Sequence, residues 1–436
     1  MWTYAAGWAA RFKPFAQIPS PCNPCSLWCN TILFVQRLEF TPDRDSELFA
    51  AAPASAAVFV LRGADEGAEP YISKTSNLRR RLQRLLGASE GQTRKLNLRE
   101  RVRWIEWTAT GSDFEAGFLL YQTLRSEFPK TYDQRLRLRF APLVKFILDN
   151  PYPRATVTTR IGGLRSNAQY FGPFPTRVAA EKFANDALDL FKMRRCTFDL
   201  NPDPAFPGCI YSEMKMCLAP CFKGCTDDEY VAEVGRVQQF FQSGGQSLVR
   251  EIERQRDEAS TNLDFEGAAA LHTRLEKVKA ATSQLPEIVR RLDELNGVMV
   301  QPSPERESVA LFKIVAGRIC DPVALSVGKQ TEASHLASKP LSMESRIAQA
   351  LATAEAPKLR GALECMEHLA LLKRWYYRTV KVGELFLVDS NGELPMRRVV
   401  RGVSRVFRGE RPSGDLSETA GEYWRFRAGE AGLRNP

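Results

Sequence analysis

The chain has 436 residues, of which 44% are hydrophobic and 26% charged, values that are ordinary for globular domains. Its length is too great for one ordinary core and predicts two to four domains. Because no apolar run is long enough for a transmembrane helix or a secretory signal, we expect a cytoplasmic protein whose thiols stay reduced.

Basic residues are concentrated in one segment of the chain. The net charge is +10, and nine arginine or lysine residues fall between Arg79 and Arg103, against two glutamates. A basic surface of this density fits a phosphate backbone, but a solvated, salt-bridged surface has the same composition. Taken alone, the segment favours neither the phosphate-binding nor the salt-bridged interpretation.

Residues 1–45 are rich in tryptophan, alanine and proline and have no clean hydrophobic period. Their three cysteines, Cys22, Cys25 and Cys29, have metal-like spacing but lack a fourth ligand. We expect this segment to be a poorly ordered extension, and we assign it no function.

From residue 56 onward the sequence predicts a small mixed α/β domain. Two short extended segments, 57–61 and 70–74, flank a turn and indicate a β-hairpin. A further strand is expected over 102–108. The residues 112–115 form a capping box that opens a helix, and four of its side chains are expected to face inward: Phe114, Phe118, Tyr121 and Leu124.

The helix after the hairpin has an apolar face and a basic face. Asn77 ends a Thr-Ser-Asn stretch that can cap this helix. Four leucines at helical spacing share one face: Leu78, Leu82, Leu85 and Leu86. Arg80 and Arg84 fall on the opposite face, whereas Arg79 and Arg81 border the leucines and are placed to point along a cleft.

The stretch AVFVLRG…PYISKTSNLRRRLQRLL resembles the start of a GIY-YIG nuclease domain, in the form found in the UvrC family of excinuclease ABC proteins. The residues that match this family in type and spacing are Tyr71, Lys74, Asn77, Leu78, Arg79 and Arg81. The resemblance implies a catalytic group in which Tyr71 acts as general base or orienter. Lys74 belongs to that group, and Arg81 would stabilise the phosphate under attack. It also implies a DNA-binding set: Asn77, Arg79, Arg80 and Arg84.

The departures from the family pattern lie at catalytic positions. The first motif is 57–59, Ala-Val-Phe, so its glycine and its tyrosine hydroxyl are missing, and Ser73 replaces a glycine. Leu120 stands where the family has its metal-binding glutamate, and leucine cannot coordinate Mg²⁺. Asp133 replaces an asparagine. We therefore predict a folded nuclease scaffold with weak or no activity, which would bind Mg²⁺ only if it is active.

Five cysteines lie in the thirty residues from Cys196 to Cys225. The first four are Cys196, Cys209, Cys217 and Cys221, separated by twelve, seven and three residues. Prolines and glycines between them prevent one continuous helix, so the chain can fold back and gather four thiolates. Such a set suits zinc or an iron–sulfur cluster, whereas inert buried cysteines are the alternative. Spacing alone does not separate zinc from iron–sulfur.

The surroundings of these cysteines also resemble UvrC. The stretch 169–175, QYFGPFP, is similar to a Y-F-G-P-Y-P segment of the family, and 195–197 stands where the family has R-T-C. The resemblance implies that Cys196, Cys209, Cys217 and Cys221 hold a [4Fe–4S] cluster and that Cys225 is extra. A helix after residue 175 is expected to carry a shared apolar face: Phe183, Ala187, Leu190 and Phe191.

Residues 246–282 predict two helices around a tight turn at 262–264. The inward residues expected on them are Leu248, Ile252 and Ala259, then Phe265, Ala268, Ala269, Leu275 and Val278. Any antiparallel helical hairpin would show this period. The segment resembles the UVR motif, which implies contact with a UvrB-like partner from the same excinuclease system through Leu263, Phe265, Glu266, Ala268, Ala269 and Leu271. His272 and Thr273 replace the usual Arg-Asp.

The C-terminal region, 286–436, gives fewer signals. It predicts three short strands, a helical stretch over 348–377 and a hairpin around Asn391-Gly392. The strands resemble the opening of the C-terminal half of UvrC, but the RNase H-like core and the helix-hairpin-helix repeats of that family do not follow. A basic segment comes last, with Arg397, Arg398, Arg401, Arg405, Arg408 and Arg411.

The sequence thus predicts an α+β, multidomain fold. Its parts are a GIY-YIG-like domain (46–150), a cysteine-rich domain (151–240), a helical hairpin (241–285) and a C-terminal α/β region. The favoured function is a UvrC-like protein of nucleotide-excision repair that binds damaged double-stranded DNA and cuts it weakly or not at all. The alternatives are an active Mg²⁺-dependent endonuclease making one incision and a zinc-binding nucleic-acid adaptor.

Overall fold

The computed structural model describes residues 36–65, 67–88, 96–162, 167–283, 285–328, 341–354 and 361–410. These residues contain three sheets with helices packed on them, and they form one compact unit that begins at Gln36. The predicted mixed α/β, multidomain fold class is confirmed. Within the described ranges, no helix combines the length and the apolar character needed to cross a membrane.

The first sheet is antiparallel, with the strand order β1–β4–β2–β3. Its strands are β1 (Gln36–Glu39), β2 (Ala57–Arg62), β3 (Tyr71–Thr75) and β4 (Trp104–Ala109), and its helices are α1 (Asp45–Ala51), α2 (Leu78–Leu86), α3 (Asp113–Glu127) and α4 (Tyr132–Leu136). The four leucines of α2 are buried against Phe59 and Ile105. The predicted hairpin, strand and inward face of α3 are all observed.

The first domain starts earlier than predicted. Gln36–Glu39 pairs with β4, and Phe40 is only 1% exposed. The expected extension therefore does not reach residue 45, because these residues complete a sheet with partners almost seventy positions later in the chain. Residues 1–35, which include Cys22, Cys25 and Cys29, lie outside the described residues.

The second sheet has the order β6–β5–β7–β8 and is antiparallel. Its strands are β5 (Leu143–Ile147), β6 (Arg154–Thr158), β7 (Ala168–Gly172) and β8 (Arg290–Arg291), and the helices here are α5 (Arg177–Leu188), α6 (Ile210–Glu213) and α7 (Asp227–Gln242). Phe146, Phe171, Phe183 and Phe241 pack edge to face in its core. Helix α5 ends at Leu188. Two of the four residues predicted to share its apolar face, Leu190 and Phe191, therefore lie beyond the helix.

Helices α8 (Gln246–Thr261) and α9 (Phe265–Thr282) form the predicted hairpin. Its base is anchored, because Leu248, Ile252, Leu275 and Val278 are buried in the main core. The expectation that Phe265 and Ala269 face inward is wrong, since both are exposed. The outer ends of the two helices extend beyond the core and contact solvent. The helical period in the sequence is the same in both parts, so it does not reveal which residues the core buries.

The third sheet has the order β11–β10–β9–β13, with β12 also paired to β10. Its strands are β9 (Gly297–Pro302), β10 (Ser308–Val315), β11 (Arg318–Ile319), β12 (Val323–Ser326) and β13 (Glu384–Leu387), and its helices are α10 (Met343–Thr353), α11 (Gly361–Tyr376) and α12 (Met396–Phe407). The three strands predicted here are observed. The stretch 348–377 comprises parts of two helices rather than one, and positions 355–360 lie outside the described residues.

The predicted hairpin around Asn391-Gly392 is wrong. The turn is present, since Asp389 accepts a hydrogen bond from Gly392 N, but α12 follows it instead of a strand. Strand β13 pairs with β9, almost ninety residues earlier. Val399, Val403 and Val406 are buried at helical spacing, which explains why this segment forms a helix.

One continuous core joins these sheets. Phe114 on α3 packs edge to face on Phe312 of β10 and on Trp375 of α11. The same core includes Phe146 of the second sheet and Val278 of the hairpin. Helix α3 therefore packs on the C-terminal region as well as on its own sheet.

Candidate nucleic-acid, metal and partner-binding sites

Helix α2 exposes two of its predicted DNA-binding arginines and uses a third within the fold. Asn77 caps the helix, with its side-chain oxygen accepting a hydrogen bond from Arg80 N at 2.9 Å. Arg80 and Arg84 are exposed. Arg79 instead donates to the carbonyl oxygens of Ala52 and Ala50 at 2.9 and 3.1 Å, so it holds the C-terminal end of α1.

The three residues of the predicted catalytic group belong to two separate pairs, one of them completed by Asp113. Arg81 Nη2 donates to the Tyr71 hydroxyl at 2.8 Å, on the side of the sheet covered by α2. Lys74, three residues further along β3, points to the other side because side chains alternate along a strand. Its Nζ lies 2.5 Å from Asp113 Oδ1 on α3. Among the described residues, no hydrogen bond joins the two pairs.

Asp113 also contacts the C-terminal region. Arg378 Nη1 lies 2.5 Å from Asp113 Oδ2, so one carboxylate bridges two cations. Burial raises the pKa of Asp113, but the hydrogen bonds and charges of Lys74 and Arg378 outweigh burial and leave this pKa below its ordinary value. No pattern in the sequence predicts the contact of Arg378 with Asp113, because the two residues are 265 positions apart.

The position at which the resemblance to UvrC predicts a metal-binding glutamate is apolar. Leu120 is half-buried against the main core, and Phe59 is fully buried with no hydroxyl to offer. The nearby carboxylate of Glu115 accepts a hydrogen bond from Gly111 N at 2.6 Å. Burial, together with the charge of Glu305, raises the pKa of Glu115 to about 7. The capping serine is confirmed, with Ser112 Oγ accepting from Glu115 N.

The predicted cysteine ligands lie in the loops between α5 and α7. Cys196, Cys209, Cys217 and Cys221 are free and half-buried. Burial first, and then the neighbouring thiols, raises the pKa of Cys217 to about 11. Across the described parts of the chain, however, no group of three or more potential ligands is close enough to hold a metal ion.

Arg194 connects this site to the domain core. Its side chain is 1% exposed, and its Nη1 donates to Cys196 Sγ at 3.1 Å and to the Phe198 carbonyl at 2.8 Å. Its Nη2 is buried and has no hydrogen-bond partner. No carboxylate among the described residues pairs with it. A buried guanidinium in need of a negative partner, in contact with the Cys196 thiol, fits a thiolate-bound metal in donor chemistry.

The tip of the helical hairpin is apolar and exposed. Leu263 and Phe265 are 73% and 68% exposed, and Asp264 between them caps α9 by accepting from Gly267 N at 2.9 Å. Of the other predicted partner-binding residues, Glu266 and Ala269 are exposed, whereas Ala268 and Leu271 are half-buried. The six positions therefore share one end of the hairpin.

Comparison with known proteins identifies the two central parts of the chain. Residues 143–240 match the UvrC/Cho excinuclease middle domain, and residues 246–281 match the UvrB/UvrC motif. The first match contains all five clustered cysteines, and the second covers the hairpin from the start of α8 to nearly the end of α9.

Curated relatives agree with these matches. UvrABC system protein C of Idiomarina loihiensis is 30% identical over 213 residues, which are 48% of this chain and 34% of that protein. The protein of the same name from Methanothermobacter thermautotrophicus is 26% identical over 269 residues, which are 61% of this chain and 44% of that protein. The chain thus spans less than half the length of these relatives. No solved structure matches.

The resemblance to UvrC is therefore confirmed over about half of the chain: it contains a UvrC-type middle domain followed directly by a UVR motif.

Proposed function

We propose that this chain is a UvrC-like, DNA-binding protein of nucleotide-excision repair, with weak or no nuclease activity of its own. The observation that carries the proposal is the order of the two matched segments, middle domain then UVR hairpin, with an apolar hairpin tip left exposed. Damaged double-stranded DNA is the proposed substrate, and a UvrB-like protein is the proposed partner.

The partner would be bound by the hairpin tip. Leu263 and Phe265 offer apolar surface that the rest of the described chain leaves uncovered, and exposed apolar residues at one end of an anchored element fit protein association. Glu266 adds one charge beside them. The replacement of the family's Arg-Asp by His272 and Thr273 would weaken charge pairing with the partner.

We propose weak cleavage because of the contacts of Lys74 and the identity of residue 120. Lys74 is neutralised by Asp113, which Arg378 also holds, so this cation is not free to meet a phosphate. Leu120 provides no oxygen for Mg²⁺. Without that ligand the site would lack the Lewis acid that stabilises the leaving oxyanion in a metal-dependent nuclease.

We also propose that Cys196, Cys209, Cys217 and Cys221 hold a [4Fe–4S] cluster, with zinc as the alternative. The support is the donor set and the unpaired guanidinium of Arg194. When bound, such a cluster supplies one-electron chemistry and a fixed crosslink between loops. The cysteine residues would hold it by their thiolates, and Arg194 would balance their negative charge.

The deciding experiment is incision of a lesion-bearing duplex in Mg²⁺ or Mn²⁺, with the other two proteins of a UvrABC system supplied. The proposal expects lesion-dependent DNA binding without robust incision. Robust cutting 3′ to the lesion would establish the active endonuclease instead. Iron analysis and absorbance near about 400 nm test the cluster separately, and a colourless protein with one zinc per chain would favour the adaptor.

A further inference from the structure

Helix α12 carries four arginines and is followed directly by Arg408, and all five side chains lie on one side of the helix. At about 100° per residue, Arg397, Arg401 and Arg408 fall within an arc of about 40°, and Arg405 and Arg398 extend that arc to about 100°. The order in the chain is MRRVVRGVSRVFR, without an acidic residue. The row from Arg397 to Arg408 is about 16 Å long at ~1.5 Å per residue.

Two of these arginines are engaged within the protein. Arg405 makes a two-pronged ion pair with the buried Glu384 of β13, at 2.8 and 2.7 Å, so it fixes α12 on its sheet. Arg408 pairs with Glu410, and both are exposed. Both arginines are therefore accounted for by contacts within the fold.

The other three have no such partner. Arg397, Arg398 and Arg401 are exposed, and no carboxylate in the described ranges lies at ion-pairing distance from any of them. Arg397 and Arg398 also stand in the first helical turn, where positive charge opposes the helix dipole and lowers helix stability. Folding does not explain their presence, so a ligand is the better explanation.

The chemistry of this face selects a phosphate backbone over a membrane. A helix that binds at a membrane surface inserts its apolar side, but the apolar side of α12 is buried through Val399, Val403 and Val406. Gly402 permits this close packing, because a Cβ there would overlap the ring of Phe386. Apart from Phe407 at its C-terminal end, which is 42% exposed, α12 presents mainly the guanidinium row, and guanidinium forks match phosphate oxygens.

We propose that the Arg397–Arg398–Arg401 face of α12 is a second nucleic-acid-binding surface, separate from the basic face of α2 and outside both matched segments. It contacts successive phosphates of duplex DNA and reads no sequence. This inference rests on the proposed DNA-binding function and adds to it a surface in the C-terminal region.

The test is binding of a fluorescent duplex of about 30 base pairs by the full chain at several salt concentrations. The variant replaces each of the three α12 arginines by glutamine. A charge-matched control replaces three exposed arginines that already pair with glutamates: Arg44→Gln, Arg177→Gln and Arg254→Gln. A third protein carries Arg80→Gln and Arg84→Gln on α2.

The α12 variant is expected to bind about tenfold or more weakly, with a salt slope smaller by about two to three, since each phosphate contact contributes roughly 0.9. The control should change affinity less than about twofold.

Equal binding by variant and control would overturn the inference while leaving DNA binding in place. Failure of the wild-type chain to bind duplex would overturn both. Vesicles with anionic lipid provide the remaining arm: a loss of vesicle binding without a loss of duplex binding would identify a membrane surface and reject the proposal.

Discussion

The carboxylate of Glu367 on α11 accepts a hydrogen bond from the Tyr121 hydroxyl on α3 at 2.8 Å, although the two residues are 246 positions apart. Tyr132 donates to the same carboxylate at 2.5 Å, and Arg125 lies 3.7 Å from it. Glu367 is 1% exposed. Burial first, and then the bond to Glu367, raises the pKa of Tyr132 to about 12, so the hydroxyl stays protonated and donates throughout the physiological range.

Replacing Glu367 by alanine should destabilise the protein by about 2–5 kcal/mol, because it leaves two buried hydroxyls without their shared acceptor, while Arg125 keeps its ion pair with Glu364. The free energy of unfolding in urea measures this loss. Glu344→Ala, an exposed change on α10, is the control and should stay within about 0.5 kcal/mol of wild type. A loss below about 1 kcal/mol for Glu367→Ala would show that this network does not hold the two regions together.

Glu115 should make the protein less stable as the pH rises. Its pKa in the fold is about 7, above the ordinary value of 4.5, so the folded state retains a proton that the unfolded state has lost. Its stabilising effect is complete below about pH 4.5 and is lost as the pH rises through 7. The loss is on the order of 3 kcal/mol.

Glu115→Gln keeps an oxygen for Gly111 N and removes the titration. Urea unfolding at pH 5 and pH 8 should therefore show a smaller decrease in stability for this variant than for wild type. Glu344→Gln, on an exposed position, should leave the wild-type pH dependence intact. Parallel curves for Glu115→Gln and wild type would contradict the assignment.

Arg194→Met should reduce metal retention at the cysteine site, because it removes both the donor to Cys196 Sγ and the positive charge that balances the thiolates. The measurement is iron and zinc per chain after purification without air, followed by the decay of absorbance in air, which should be several-fold faster. Arg195→Met is the control, since that neighbour pairs with Asp189 instead. If both variants retain metal equally, Arg194 serves only to support the loop.

Leu263→Ser with Phe265→Ser should abolish capture of a UvrB-like protein while leaving the fold unchanged, because both side chains are exposed. The expected loss is at least about 2 kcal/mol, or roughly thirtyfold in Kd. Val178→Ser, another exposed apolar residue, controls for general loss of surface hydrophobicity. Unchanged affinity in the double variant would place the partner elsewhere.

Local patterns predicted the local structure well. The leucines of α2, the cap at Asn77 and the hairpin helices follow from spacing over four to eighteen residues, and the structure contains each of them. These features are set by backbone hydrogen bonding and by one apolar face, both of which leave a periodic trace in the sequence.

Contacts between distant segments left no such trace. The pairing of β1 with β4 and of β13 with β9, and the reach of Arg378 to Asp113, join residues 65 to 265 positions apart. The prediction of a hairpin at Asn391-Gly392 was wrong for the same reason. Strand β13, before that turn, pairs with β9 and not with the segment that follows the turn. Alternation along β3 places Lys74 and Tyr71 on opposite sides of the sheet, but the partner of Lys74, Asp113, depended on which helix covers its side.

The shared core has a consequence for how such proteins diversify. Because α3 contributes Phe114 to the sheet of the C-terminal region and Tyr121 to Glu367, the first domain is not an exchangeable module. A related first domain substituted in its place would leave Glu367 and Trp375 facing an unmatched surface. A recombinant chain would need to inherit α11 along with α3, so these two helices should be replaced or retained together.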